Sequence, residues 1–402
     1  MHVLLLTHYY PPELGAAPAR IAALAQGLSA RGVEVTVHTG FPNYPAGVVA
    51  APYRNRLWHK EHDGAVQVLR SLVYPTPNRG FARRVASHTV FAASAVATAA
   101  LSGTVDVVLA ETPPLFTAAA GVAYARRKRA RLALNVSDLW PESAIDLGAL
   151  RNPNASAGAH ALARHCYRQA ALIAAPTQGI LDSLRDRPEA AGKVRHVPPA
   201  VDVERFAAVP RARPRAGAPL RVLYAGTLGM AQGLGTLVHA AALAGPEIVE
   251  LRIAGAGPDA EALRAQISAH GLAHVQLLGA VQPARIPLLY GDADAGVIAL
   301  RDRPIFSGAL PTKLFEVLAA GRPAIVAARG EAAELVRRER VGLAVSPEDP
   351  HALAQAFREL HAAPEQVISM GEQARACARH FDRATAVGQW HELLTSLTAS
   401  HH

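Results

Sequence analysis

Cysteine is nearly absent from this 402-residue chain: Cys166 and Cys377 lie far apart and match no metal-ligand spacing. That excludes a disulfide framework and a zinc ribbon, and it suits a reducing compartment with buried, inert thiols. Long apolar runs are missing too. The longest weakly polar stretch, VFAASAVATAAL at 90–101, is too short and too alanine-rich to span a bilayer. HVLLL begins at residue 2 with no basic leader or cleavage site before it, so no signal peptide is expected. Acidic residues are scarce in the first half. Residues 1–200 carry 21 Lys+Arg against 12 Asp+Glu, whereas residues 201–402 carry 20 of each, so the whole net charge of +9 sits in the first half. Cationic clusters stand at YRNRLWHK (53–60), NRGFARR (78–84) and ARRKRAR (125–131). Such a half fits nucleic acid, an anionic membrane or a phosphorylated substrate, or else is a solvated basic face.

What is present is the raw material of two large cores. Half the residues are hydrophobic and 18% are charged, so the chain is not disordered, and its length predicts two domains. Apolar runs alternate with helical patterns: HVLLL, a helix near 18–30 ending at Gly32, VEVTVHT, then DVVLAE, RLALNVS, LIAAPT and VRHVPPAV. This is the rhythm of an α/β fold with a parallel sheet wrapped in helices. We expect a first domain over 1–205 and a Pro-, Ala- and Arg-rich linker over 206–220. A second series follows over 221–380, with strands at RVLYAG, VELRIAG, VQLLGA, AGVIAL, PAIVAA and GLAV. The segment 381–402 forms a last helix, with Trp390, Leu393, Leu394 and Leu397 on one face, docking back on the first domain. Two such domains in tandem would face a central cleft at the carboxyl ends of their strands.

The second half holds three strand-to-helix turns able to receive an anion. YAGTLGMAQGLG places Gly226, Thr227 and Gln232 in one, and AGAGPDA places Gly257 in another. Either is also a simple tight turn. Read as a dinucleotide fingerprint, the second lacks the acid about 20 residues on that would hold a ribose, because no Asp or Glu lies between Glu261 and Asp292. The third is GALPTKLFEVLAAGRP (308–323). Here Thr312 predicts an N-cap, Gly321 and Pro323 a stop, and Lys313 falls in the first turn, where the helix dipole disfavours a cation. Either an anion compensates it or Lys313 pairs with Glu316 at i, i+3. In the first half, NVSDLWPESA places Asp138 and Glu142 after a strand, with Asp138 a helix cap or a carboxylate for an acceptor hydroxyl. THYYPPELGAAPAR places Gly15 in the first strand-to-helix loop, as a turn or a point of close substrate approach.

These motifs, with ETPPLF (111–116), VDVERF (201–206) and GEAAELV (330–336), resemble along essentially the whole chain the GT4 family of retaining, metal-independent glycosyltransferases. The resemblance implies the GT-B fold, two Rossmann-like doubly wound parallel-sheet domains. The fine pattern is similar to bacterial sugar transferases that build O-antigen, capsule and colanic-acid units, including the N-acetyl-L-fucosamine transferase group. Carried over by position, Glu316 is the second Glu of the family's Glu-x7-Glu signature and holds the ribose, while the first falls on Gly308. The family's diphosphate-binding Arg and Lys fall on Thr227 and Gln232, and the His of its His-Asp pair on Ser137. With both cations missing from the usual loop, Lys313 is the natural partner of a diphosphate, with Arg301 or Arg303 second.

The resemblance therefore implies transfer from a nucleoside diphosphate sugar, UDP-linked by preference, with no cofactor or metal. Asp138, Lys313 and Glu316 are the expected catalytic residues. Gly226, Thr227, Gln232, Gly257, Ala280, Val281, Arg301, Gly308, Ala309, Leu310, Lys313, Leu314 and Glu316 would hold the donor. Gly15, Asn43, Tyr44, Asp138 and Glu142 would hold the acceptor, a polyprenyl-diphosphate-linked glycan. The basic first domain, with Trp58, Phe81 and Phe91 beside its arginines, would approach the inner face of a membrane, giving a cytoplasmic, peripheral protein that binds no nucleic acid. A sugar-nucleotide epimerase of GT-B type, acting on donor alone, and a basic nucleic-acid-binding protein are the alternatives.

Overall fold

The computed structural model describes residues 1–13, 15–44, 46–76, 81–146 and 148–399, and for Ala16 and Phe81 the backbone only. The expected contacts of Phe81, and the 78–80 part of its basic cluster, lie outside the described residues. The chain divides into two compact units, Met1–Pro198 with Ala384–His402, and Pro199–Arg383.

The first unit opens with β1 (His2–Leu6), α1 (Ala16–Ser29) and β2 (Glu34–Gly40), followed by β3 (Trp58–Asp63), β4 (Val66–Ser71) and α2 (Phe81–Ala97). It continues through β5 (Val107–Thr112), α3 (Leu115–Lys128), β6 (Arg131–Val136), α4 (Glu142–Asp146), α5 (Pro153–Gln169), β7 (Leu172–Ala175), α6 (Gln178–Arg185) and β8 (Val194–His196). The strands form one sheet in the order β3-β4-β2-β1-β5-β6-β7-β8, parallel throughout except for the antiparallel edge strand β3. Side chains alternate across each strand. On β1, Leu4 and Leu6 therefore enter a core with α2, α3 and α5, while Val3 and Leu5 enter a second core on the opposite face.

In the second unit α7 (Val203–Ala207) precedes β9 (Leu220–Ala225), α8 (Gly235–Ala244), β10 (Val249–Ala254), α9 (Ala260–Ala269), β11 (Val275–Gly279) and α10 (Ile286–Asp292). Then come β12 (Ala295–Ala299), α11 (Thr312–Ala319), β13 (Ala324–Ala327), α12 (Glu331–Glu339), β14 (Gly342–Val345), α13 (Pro350–Ala362) and α14 (Pro364–Ala378). The sheet is wholly parallel, in the order β11-β10-β9-β12-β13-β14. That is the doubly wound order of a Rossmann fold. A final helix, α15 (Arg383–Ala399), buries Trp390 and Leu394 in the first unit's second core, with Leu393 and Leu397 packed at its margin.

Two expectations about organisation are corrected. The boundary falls after Pro198 rather than after 205, because Val201, Val203 and Phe206 are buried in the second unit's core and Val201 bridges to Asp382. The segment 206–220 is no free linker. The Ala212 amide donates to the Gly291 carbonyl at 2.9 Å, and the buried Arg322 donates back to the Ala212 carbonyl at 2.9 Å. The hairpin β3–β4 was not expected, since WHKEHD reads as a charged cluster: an edge strand facing solvent needs no apolar period.

Candidate active site

In the second unit the strand order reverses between β9 and β12, the position where open α/β sheets bind their ligands. The turn after β9 carries Gly226, at φ +156°, and the exposed Thr227. Lys313, in the first turn of α11, reaches this turn: a Cβ on Gly226 would stand 2.8 Å from the Lys313 Nζ. Nζ donates to the Tyr224 Oη at 2.6 Å and lies 4.3 Å from the centre of the Tyr224 ring. The Tyr224 hydroxyl in turn donates to the Thr227 carbonyl at 2.7 Å. Burial brings the Lys313 pKa down to about 8, while the Glu316 carboxylate acts the other way. The i, i+3 ion pair between Lys313 and Glu316 is not made. Thr312 does not cap the helix: Pro311, in extended conformation, takes that place, and Thr312 is the exposed first helical residue.

Glu316, one helical turn beyond Lys313, is half-buried, and its carboxylate has no hydrogen-bond partner among the described residues. Burial raises its pKa, with Arg205 and Lys313 opposing. Arg205 of α7 is tied to the Pro283 carbonyl. It is a residue that sequence reasoning missed, although the VDVERF motif pointed at it. Ala280 and Val281 line a cavity of about 510 Å³ together with Gln282, Arg285, Leu289 and Arg252.

Several expected donor residues have other tasks. Gly257 is required for packing, because a Cβ there would stand 2.1 Å from the Leu228 carbonyl oxygen, and one on Gly255 would stand 1.8 Å from that of Gly226. The two turns are thus laced together, which favours the structural reading of AGAGPD. Arg301 is committed to Glu348 at 3.1 Å and to the Met230 carbonyl at 2.5 Å, so its charge is already balanced. The Leu314 side chain is fully buried in the core. Ala309 and Leu310 pack against the same core, and Gly308 and Gln232 are half-buried.

In the first unit the order reverses between β1 and β5, and a polar cluster lies there. The Arg20 Nη2 donates to the buried Glu111 Oε2 at 2.7 Å and to the Ser137 Oγ at 2.9 Å, while the Asn135 Nδ2 donates to the Glu111 Oε1 at 2.5 Å. The three motifs that supplied Gly15, ETPPLF and NVSD converge here, yet neither Arg20 nor Glu111 was singled out from the sequence. Gly15, at φ +146°, precedes α1 and is exposed. Asp138 is bonded by the Ser143 side chain and the Leu139 amide, and burial raises its pKa. It does not cap α4, whose first residue is Glu142. Glu142, expected at the acceptor, has its Oε1 bonded by Arg187 at 2.7 Å and facing His160 at 3.7 Å, while its buried Oε2 has no hydrogen-bond partner among the described residues. The buried Glu13 accepts from the Asn43 and Tyr44 amides at 3.1 and 3.0 Å, and both residues line a small recess with Tyr9, Arg84, Ser87 and His88.

Exposed large apolar side chains gather in one stretch of this unit: Tyr44, Val48, Leu57, Trp58, Leu72, Tyr74 and Val90. Phe91 is not among them, being fully buried in the core. Among the described residues no helix is long and apolar enough to cross a membrane, and no group of three or more His, Cys, Asp or Glu could hold a metal ion.

Comparison with known proteins gives this architecture its class. Residues 15–200 match the family model for the glycosyl transferase 4-like domain, and residues 219–363 that for glycosyl transferases group 1. The chain belongs to the GT4 family of glycosyltransferases with the GT-B fold. Over 376 residues it is 25% identical to Escherichia coli (strain K12) WcaI, named as a colanic acid biosynthesis glycosyl transferase, covering 89% of this chain and 92% of that one. A sucrose-phosphate synthase from Thermosynechococcus elongatus superposes with a TM-score of 0.80 at 18% identity, over 99% of both chains. Anabaena HepE, solved with UDP-glucose, superposes with a TM-score of 0.70 at 20% identity, over 98% of this chain and all of that one.

Proposed function

We propose that this glycosyltransferase moves a sugar from a UDP-linked donor to a hydroxyl of a polyprenyl-diphosphate-linked saccharide, with retention at the anomeric carbon and without a metal. The observation that carries the reading is the Lys313 ammonium, partly desolvated and unmatched by any carboxylate bond, held against the Gly226–Thr227 turn at the switch point of the second sheet. A buried cation at the positive end of a helix is costly unless an anion meets it. A diphosphate supplies that anion, and Lys313 with the α11 dipole would stabilise it as it leaves. Glu316, with no hydrogen-bond partner among the described residues, would accept from the ribose hydroxyls, and the cavity beside Ala280 and Val281 would take the base.

The UDP-glucose complex of HepE supports a nucleotide-sugar donor, and the naming of WcaI supports a place in surface polysaccharide synthesis. Asp138, whose pKa burial raises, would contact the acceptor hydroxyl. Retention follows from the family resemblance, and so does independence from metal. The test is incubation of the protein with a panel of nucleotide sugars and bacterial membranes in chelator, read by mass spectrometry, with the anomeric configuration of the product read by NMR. Sugar transfer to a lipid-linked saccharide with retention is the expected result. Interconversion of the donor sugar without acceptor would replace this reading by the epimerase.

A further inference from the structure

We propose that Tyr224 is the positioning residue for Lys313: its hydroxyl, oriented by donating to the Thr227 carbonyl, accepts from the ammonium and holds it at the turn that would receive the diphosphate. The inference rests on the reading of Lys313 given above. The phenol has one proton, and the 2.7 Å bond to the Thr227 carbonyl uses it, so toward Lys313 the oxygen acts as acceptor. The 2.6 Å bond from Nζ fills that role. The ring edge beside the hydroxyl adds a second, weaker restraint, its centre lying 4.3 Å from Nζ. A third comes from Gly226, where any Cβ would stand 2.8 Å from Nζ, so the missing side chain leaves the space that the ammonium occupies.

A lysine side chain has about four rotatable bonds and loses their rotamer entropy when it is fixed. Here that cost is met before any ligand arrives. Tyr224 is itself fully buried on the central strand β9, in a core with Val222, Leu234 and Leu237. Thr227 stands where this chain's resemblance to its family places an arginine, and its carbonyl serves as the anchor of the chain Thr227–Tyr224–Lys313. A single cation held by a rigid partner thereby stands in for cations on the loop itself. The charged group on the same helix is Glu316, and Arg205 acts on Glu316 from α7.

The experiment is calorimetric titration with UDP and GDP, using whichever the wild-type chain binds more tightly, on Tyr224→Phe, Lys313→Ala and the double variant. Tyr224→Phe keeps the ring and its packing and removes only the oxygen. We expect it to weaken nucleotide affinity roughly tenfold, the scale of a hydrogen bond to a charged group. In the Lys313→Ala background the same change should have almost no effect, because the group it positions is gone. Affinity within twofold of wild type, or an equal loss in both backgrounds, overturns the proposal. Normal affinity in Lys313→Ala overturns the diphosphate reading and this proposal with it, whereas a weak Lys313→Ala beside a normal Tyr224→Phe overturns the positioning role alone. Should Tyr224→Phe not fold, Gly226→Ala tests the same contact from the other side: its methyl must displace Nζ, and unchanged affinity there would equally overturn the proposal.

Discussion

Arg20 and Glu111, 91 residues apart, meet at 2.7 Å at the switch point of the first sheet, and the Glu111 carboxylate is almost wholly buried. Removing one partner of such a pair leaves an uncompensated buried charge. Arg20→Ala should destabilise the protein by about 2–4 kcal/mol, somewhat below a fully buried pair because Arg20 is partly exposed. Urea denaturation measures it, and Glu111→Gln in the Arg20→Ala background should recover part of the loss.

The lowered pKa of Lys313 gives donor binding a signed pH dependence. An anionic ligand favours the charged ammonium, so nucleotide affinity should hold up to about pH 8 and fall as pH rises beyond it, by up to about tenfold per unit. Lys313→Ala should lose about ten- to a hundredfold in affinity at pH 7 and lose the alkaline limb as well. Titration calorimetry between pH 7 and 9.5 reads both, and an unchanged alkaline limb in the variant would assign it elsewhere.

Glycines 255 and 257 are held by steric contact. Gly255→Ala and Gly257→Ala drive a methyl into a backbone carbonyl at 1.8 and 2.1 Å and should each destabilise the second unit by about 1–3 kcal/mol or more. Gly158→Ala, inside helix α5 with nothing within 4 Å, should instead stabilise by about 0.5–1 kcal/mol. Thermal denaturation of the three variants distinguishes packing glycines from free ones.

In the first unit His8 and His38 are buried and His88 is half-buried. Burial holds the pKa of His38 near 3 and of His88 near 4, and pushes His8 well below its ordinary value, with His88 adding to the effect. The unfolded chain therefore binds more protons than the folded one between about pH 6.5 and pH 4, and stability should fall as pH drops through that window. The raised pKa values of Glu13 and Asp138 act in the opposite sense. Denaturation midpoints at pH 7, 6 and 5 check the slope, and His38→Gln should reduce it.

The exposed apolar side chains Leu57, Trp58 and Tyr74 lie in a stretch that also carries Arg54, Arg56, Lys60, Arg83 and Arg84. If this surface meets anionic lipid, the protein should float with vesicles containing phosphatidylglycerol and not with phosphatidylcholine vesicles. Trp58→Glu with Arg83→Glu and Arg84→Glu should abolish flotation at unchanged thermal stability. Equal recovery from both vesicle types would exclude the membrane role.

Parallel strands buried on both faces read as continuous apolar runs, so most were legible directly: the stretches 221–226, 295–300 and 323–328 fall within one residue of β9, β12 and β13. The edge strand β3 escaped because its side chains face solvent, and the segment 206–220 escaped because proline and arginine give no period even when packed. At the site, sequence position picked out Lys313, since a lysine in the first turn of a short apolar helix is anomalous under the helix dipole, while Glu316 came from the family's Glu-x7-Glu signature. The partner of that lysine could not be read from the sequence. Tyr224 lies 89 residues away on another element, and only the strand order that sets β9 beside β12 brings them together. The same holds for Arg20 and Glu111. Local chemistry is written in the order of residues, whereas a hydrogen bond between distant residues exists only once hydrophobic burial has chosen which strands are neighbours.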